Sequence, residues 1–150
     1  MELKFPPVVL GLACVLFMWV ASVLAPWADF RLPATDWVAG ALYGLGLAII
    51  SIGVHTFRRA QTTIDPRTPE KTSQLVTHGI YNRTRNPMYL GFTIMLLGVA
   101  VHLGNYLAFA VLPLFSFLLT RLQIIPEERN MRAIFGDQYE AYVARVRRWM

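Results

Sequence analysis

The sequence predicts an all-α polytopic membrane protein, one domain over residues 1–150, with four transmembrane helices, the last two a helical hairpin, and C-terminal helices on the cytoplasmic face. Three observations predict it. Hydrophobic residues make up 55% of the chain and charged ones only 15%, a balance that suits a bilayer better than water. The apolar residues gather in four runs, at about 8–25, 37–54, 88–101 and 106–125. Finally, of 14 Lys and Arg only Arg31 falls between the first and second runs and none between the third and fourth. The other 13 share one side, which the positive-inside rule makes cytoplasmic, so both termini are expected there, in an inner (cytoplasmic) membrane.

Each element follows from local chemistry. The first run follows Lys4 and has Val23 and Ala25 near the positions of a signal cleavage site. It exceeds the roughly 7–15 residues of a signal's apolar core, and Pro26 would follow the cut, so a retained helix is expected. Pro26 ends it, and Trp27 suits an interface. Thr35 and Asp36 are candidate caps of the second helix, whose Gly40 and Gly44 have the spacing for close helix approach in lipid. His55 to Lys71 is a polar, charged stretch too long for a simple hairpin turn, hence an aqueous and functional loop. Asn86 as cap and Pro87 at the first position start the third span. A tight turn over 102–105 leads to the fourth span, which Pro113 should kink. Pro126 with Glu127 and Glu128 reads as a fresh helix start. Gly136 then breaks the chain, and Asp137 caps a last helix whose Tyr139, Tyr142, Val143 and Val146 share one face. With Arg145, Arg147 and Arg148 elsewhere, that helix is expected to lie on the membrane surface.

Composition also narrows the function. The basic residues lie in connections between apolar runs, which argues for a membrane face and against nucleic acid. Cys14 is the single cysteine, so neither an internal disulfide nor a thiolate cluster can form. His55 and His102 stand at span ends on opposite sides, leaving His78 without a partner, and no metal site is expected.

The densest polar chemistry is the stretch from Leu75 to Gly91, L-V-T-H-G-I-Y-N-R-T-R-N-P-M-Y-L-G, set against the third apolar run. Polar groups beside lipid are costly unless they have a task. This block, with the acidic pair Glu127 and Glu128 downstream, resembles the isoprenylcysteine carboxyl methyltransferase and phospholipid methyltransferase superfamily, integral-membrane enzymes that use S-adenosylmethionine; the likeness spans about residues 75–148. It implies a cofactor pocket lined by His78, Gly79, Tyr81, Arg85, Asn86, Pro87, Tyr89, Glu127 and Glu128, and closed by the basic, aromatic tail. Arg85, Glu128, Tyr142 and Arg145 are the expected catalytic positions. Family members often carry His where Asn86 stands, and the phospholipid branch has a glycine-x-glycine where this chain has only Gly98.

The residue types suit that chemistry. Methyl transfer from a sulfonium is an in-line displacement that needs alignment and exclusion of water more than acid-base machinery. Carboxylates can receive ribose or ammonium hydrogens, Arg85 can grip a carboxylate, and Tyr81, Tyr89, Tyr139 and Tyr142 offer aromatic faces to a cation. The expected acceptor is a lipid or other hydrophobic small molecule, with an isoprenylcysteine carboxylate, a phospholipid amine and a hydrophobic thiol all open. Two other readings compete. A membrane reductase of related architecture would bind NADPH, and a non-catalytic small membrane protein would use Glu127 and Glu128 only against a helix dipole and the tail tyrosines only as an interfacial belt.

Overall fold

The computed structural model describes residues 6–30, 33–60 and 74–150, so most of the polar loop expected at 55–71 lies outside the described residues. The described chain is helical: α1 (Pro7–Leu24), α2 (Thr35–Arg59), α3 (Pro87–Leu103), α4 (Tyr106–Leu119), α5 (Ile125–Phe135) and α6 (Asp137–Arg145). Short 3-10 turns stand at Pro26–Ala28 and Gly79–Asn82. Three helical stretches are long and apolar enough to cross a membrane, Pro7–Leu24, Thr35–Arg59 and Tyr106–Phe135; α3 is apolar but shorter, at 17 residues.

Several local expectations change. α2 is capped by Ala34 in the left-handed region, φ 62°, and Thr35 and Asp36 fall inside its first turn, where Asp36 still faces the positive end of the dipole. Its far end runs past the apolar run to Arg59, because Thr56 Oγ1 bonds back to the Ile52 carbonyl and Arg58 and Arg59 suit the negative end. The glycine approach occurs at different residues. Nothing stands within 4 Å of a Cβ built on Gly40 or Gly44, whereas one on Gly46 would lie 2.6 Å from the Gly91 carbonyl oxygen and one on Gly91 2.7 Å from that of Gly46. The bare backbones of α2 and α3 cross there, which only glycine permits.

The expected helix start at Pro126 is not a start. A π-helical turn over Thr120–Ile124 joins α4 to α5, so one helix of 30 residues runs from Tyr106 to Phe135. Pro126 has no N–H to offer the turn behind it and its ring crowds that turn; widening it to π spacing relieves both.

The main core lies among α1, α3 and α4, with Met18, Ala100, Ala108, Phe115 and Leu119 fully buried. Leu12, Leu16, Phe17 and Trp19 of α1 face outward, and Trp27 and Trp37 are 80% and 83% exposed, as interfacial residues would be. Opposite the site, the two short connections are tied together. Phe30 donates its N–H to the Gly104 carbonyl at 2.6 Å, and Asn105 donates through Nδ2 to the Ala25 carbonyl at 2.9 Å and Asp29 Oδ1 at 2.8 Å. Gly136 breaks the chain as expected, at φ 48°. The α6 face read as membrane-facing instead packs inward: Tyr139, Tyr142 and Val146 are buried against Met131 and Phe135 of α5 and against Leu75, which is distant in sequence.

Candidate active site

Opposite that tie, the near ends of α1, α2 and α3 meet the α5–α6 tail around a cavity of about 270 Å³, close to the lower end of the range of roughly 300–1,000 Å³ for small-molecule sites. The segment before α3 shapes one wall. Gly79 adopts φ 62°, which glycine takes without strain, and the 3-10 turn that follows buries Tyr81. Thr84, 2% exposed, accepts from the Asn86 N–H at 3.2 Å and donates to the Arg148 carbonyl at 3.2 Å. Asn86 occupies the N-cap position of α3, yet its side chain makes no cap bond; Nδ2 donates instead to the Arg148 carbonyl at 2.9 Å. The Arg85 N–H donates to the Arg147 carbonyl at 3.1 Å. The end of the chain is thereby laid across residues 84–86.

Charge is concentrated on Glu128, 4% exposed. Arg148 Nε reaches its Oε1 at 2.9 Å and Arg148 Nη2 its Oε2 at 2.8 Å, a bidentate pair. Arg85 Nη2 lies 3.2 Å from Oε1. Arg85 Nε and Nη1 are buried without a hydrogen-bond partner among the described residues, as is the Tyr81 hydroxyl. Buried donors are rarely left unpaired, so these three atoms await a ligand or water. Tyr89 donates to Glu127 Oε1, and Tyr142 donates to the Tyr81 carbonyl at 2.7 Å. Because α4 and α5 are continuous, no free helix end sits at Glu127 and Glu128, and a dipole partner no longer accounts for them.

The tail phenols stay neutral over the physiological range. Burial, reinforced by the nearby Glu128 carboxylate, raises Tyr139 to about 12. Burial likewise raises Tyr142 and Tyr81. They can donate hydrogen bonds and present aromatic faces, but none is a base at neutral pH. Arg148, bonded to Glu128, is held above its usual value and remains charged.

Of the positions expected from sequence, Tyr81, Arg85, Asn86, Tyr89, Glu127, Glu128 and Tyr142 line one cavity. His78, Gly79, Pro87 and Arg145 do not. His78 and Arg145 are exposed, and Arg145 Nε turns back to the Ala141 carbonyl at 3.3 Å. Pro87 is buried at the first turn of α3. Sequence reasoning missed Arg148 and the apolar lining from Val8, Phe57, Met88, Phe92 and Ile124. Arg148 escaped because helical face-counting was carried past the helix end. α6 stops at Arg145 and Val146 is extended, so Arg148 reaches inward where a helix would turn it elsewhere. Among the described residues no group of three or more His, Cys, Asp or Glu could hold a metal ion.

This is a charged and aromatic cavity at one end of an apolar helical bundle, and sequence comparison gives the family. The phospholipid methyltransferase family profile matches residues 34–138. The chain belongs to that family, within the superfamily that also holds the isoprenylcysteine methyltransferases. Among curated relatives, protein-S-isoprenylcysteine O-methyltransferase from Schizosaccharomyces pombe is 38% identical over 76 residues, 51% of this chain and 32% of that protein. Protein-S-isoprenylcysteine O-methyltransferase B from Arabidopsis thaliana is 34% identical over 105 residues, 68% of this chain and 52% of the relative. A probable protein-S-isoprenylcysteine O-methyltransferase from Oryza sativa subsp. indica is 33% identical over 102 residues, 68% of this chain and 53% of the relative. The chain thus spans between a third and about half the length of these relatives. No solved structure matches. The named relatives are methyltransferases, and the NADPH-reductase alternative finds no support among them.

Proposed function

We propose that the chain is an S-adenosylmethionine-dependent methyltransferase acting on a lipidic or otherwise hydrophobic acceptor at the cytoplasmic face of an inner membrane. The observation that carries this reading is the Arg85 guanidinium, buried in a cavity wall with Nε and Nη1 unpartnered. Nε and Nη1 lie on the two different edges of the planar guanidinium, each edge shared with Nη2; Nη2 meets only one Glu128 oxygen, so a two-point edge remains that fits a carboxylate, and S-adenosylmethionine has one. When bound, it supplies a methyl group made electrophilic by a sulfonium.

The residues present fit that group. Arg85 would hold the carboxylate end, while His78, Gly79 and Pro87, outside the cavity lining, would only shape the segment that carries Arg85. Glu127 would take ribose or ammonium hydrogens through its second oxygen, its first being occupied by Tyr89. Tyr81, Tyr89 and Tyr142 would offer faces to the sulfonium, worth about 0.5–2 kcal/mol for a desolvated cation. Glu128 has both oxygens engaged by guanidiniums, so it would orient Arg85 and not itself receive a ligand hydrogen. Asn86 would hold the tail closed. Arg145, exposed at the end of α6, would serve as a rim residue for the acceptor.

The acceptor's class follows from the rest of the lining. Val8, Phe57, Met88, Phe92 and Ile124 leave most of the wall apolar, and each methylene kept out of water is worth about 0.8 kcal/mol. An acyl or prenyl chain would therefore stay in lipid and enter sideways. No residue of α4, the helix that holds Pro113, lines the cavity; Val8, exposed at the start of α1, marks the lipid-side edge. The relatives' names favour an isoprenylcysteine carboxylate-like acceptor, and the family's name favours a phospholipid. The same reading takes α3 as a fourth span forming a hairpin with α4, both termini being cytoplasmic.

Calorimetric titration of detergent-purified protein with S-adenosylmethionine and, separately, NADPH tests the reading. Saturable binding of the first alone is expected, and Glu128→Gln should weaken it by roughly 5- to 150-fold, the 1–3 kcal/mol of a buried donor or acceptor left unpaired. Unchanged affinity in folded Glu128→Gln would remove the acidic pair from the site.

A further inference from the structure

Arg148 plays no part in the expected site, yet the chain around it is tied to the site repeatedly. Its carbonyl accepts from Thr84 Oγ1 and Asn86 Nδ2, the preceding carbonyl accepts from the Arg85 N–H, and Trp149 packs against the main core. Its guanidinium engages both Glu128 oxygens and shares Oε1 with Arg85.

We propose that Arg148 is a positioning residue for methyl-donor binding, acting through Glu128 to keep one edge of the Arg85 guanidinium open. The inference rests on the reading that this cavity binds the methyl donor. Its basis is how the Glu128 carboxylate is divided. Arg148 takes both oxygens, at 2.9 and 2.8 Å, which fixes the carboxylate plane. Arg85 is left with a single corner contact, Nη2 to Oε1 at 3.2 Å, while Nε and Nη1 stay buried and unpartnered. A carboxylate facing one guanidinium alone favours the two-point fork. Without Arg148, Glu128 would be free to turn and take Arg85 two-pronged, through Nη2 and either Nε or Nη1, closing that edge to an anionic ligand group. Charge acts the same way. Two guanidiniums against one carboxylate leave the cluster net positive, whereas Arg85 and Glu128 alone are neutral.

The experiment measures affinity in folded, detergent-purified protein for S-adenosylhomocysteine, which carries the carboxylate, and for 5′-methylthioadenosine, which lacks it. Wild type failing to bind S-adenosylhomocysteine would sink the donor-site reading itself, a result distinct from the ones that follow. Given wild-type binding, Arg148→Gln should weaken S-adenosylhomocysteine by about fivefold or more and Arg148→Lys, which keeps the charge but loses the fork, by about twofold or more. Methylthioadenosine affinity should change by less than about twofold in both variants. Smaller losses for the first ligand, or an equal loss for the second, would overturn the proposal. Glu128→Gln/Arg148→Gln should bind no more weakly than Glu128→Gln alone; additive losses would mean that Arg148 acts independently of Glu128. Should Arg148→Gln fail to fold, Arg148→Lys decides alone.

Discussion

At the scale of single residues, two buried polar side chains do opposite jobs at opposite ends of the molecule. Arg85 keeps two donors unsatisfied, whereas Asn105, 0% exposed, has its side chain fully engaged: Oδ1 accepts from the Leu107 N–H at 2.9 Å as the cap of α4, and Nδ2 bonds Ala25 and Asp29. A satisfied buried amide stabilises, and an unsatisfied guanidinium marks a place for a ligand. Asn105→Ala removes the side-chain cap on the Leu107 N–H and the bonds to Asp29 Oδ1 and the Ala25 carbonyl, which keeps the Ala28 N–H. It should cost at least about 2 kcal/mol, measured as an earlier midpoint in detergent-titrated unfolding, with S-adenosylhomocysteine affinity unchanged. Lost affinity at unchanged stability would mean that this distant tie reaches the site. The sequence marked Asn105 only as part of a turn, because nothing in its neighbours announces partners some 80 positions away.

At the scale of elements, what was legible is what is periodic. Four apolar stretches, the break at Gly136 and the grouping of Tyr139, Tyr142 and Val146 on one face can all be read from spacing along one chain, but not what that face packs against. Contacts between elements cannot. Gly40 and Gly44 have the spacing for close packing but face open space, while the crossing falls on Gly46 and Gly91, whose pairing depends on how α2 and α3 are placed. The join of α4 to α5 was hidden for a related reason: proline at a first helical position and proline relieved by a π turn look the same in sequence. The glycine reading can be tested directly. Gly91→Ala places a methyl 2.7 Å from the Gly46 carbonyl oxygen and 2.6 Å from Ile50 Cγ1, so α2 and α3 must part. A loss of about 1–3 kcal/mol is expected there, and none for Gly44→Ala, where alanine even gains helix propensity. Equal losses at both positions, by the same unfolding measurement, would return the packing to the 40/44 face.

At the scale of the whole molecule, the site exists because alternate helix ends collect on one side. Val8 at the start of α1, Phe57 near the end of α2, Met88 at the start of α3 and Ile124 beyond α4 line the same cavity, while 25–30 and 104–105 meet at the other end. Seven expected site positions converge there because the motif before α3 and the acidic pair lie on that side; the tail arginine that closes the cluster was legible only once α6 was seen to end at Arg145. In sequence the basic residues are distributed the same way: of the 14 Lys and Arg only Arg31 falls between the first and second apolar runs and none falls between the third and fourth. Cationic segments stay on the cytoplasmic side of an inner membrane, so the cavity is expected to open to the cytoplasm, where a water-soluble methyl donor is found. Labelling of intact cells tests the orientation, using single cysteines in a Cys14→Ala background. Cysteine placed at Asp36, exposed at the start of α2, should react with a membrane-impermeant maleimide added outside. Cysteine placed at Asn82, exposed beside the site, should react only after the cells are opened. The reverse pattern would turn the protein over, and with it the cytoplasmic supply of methyl donor on which the proposed function depends.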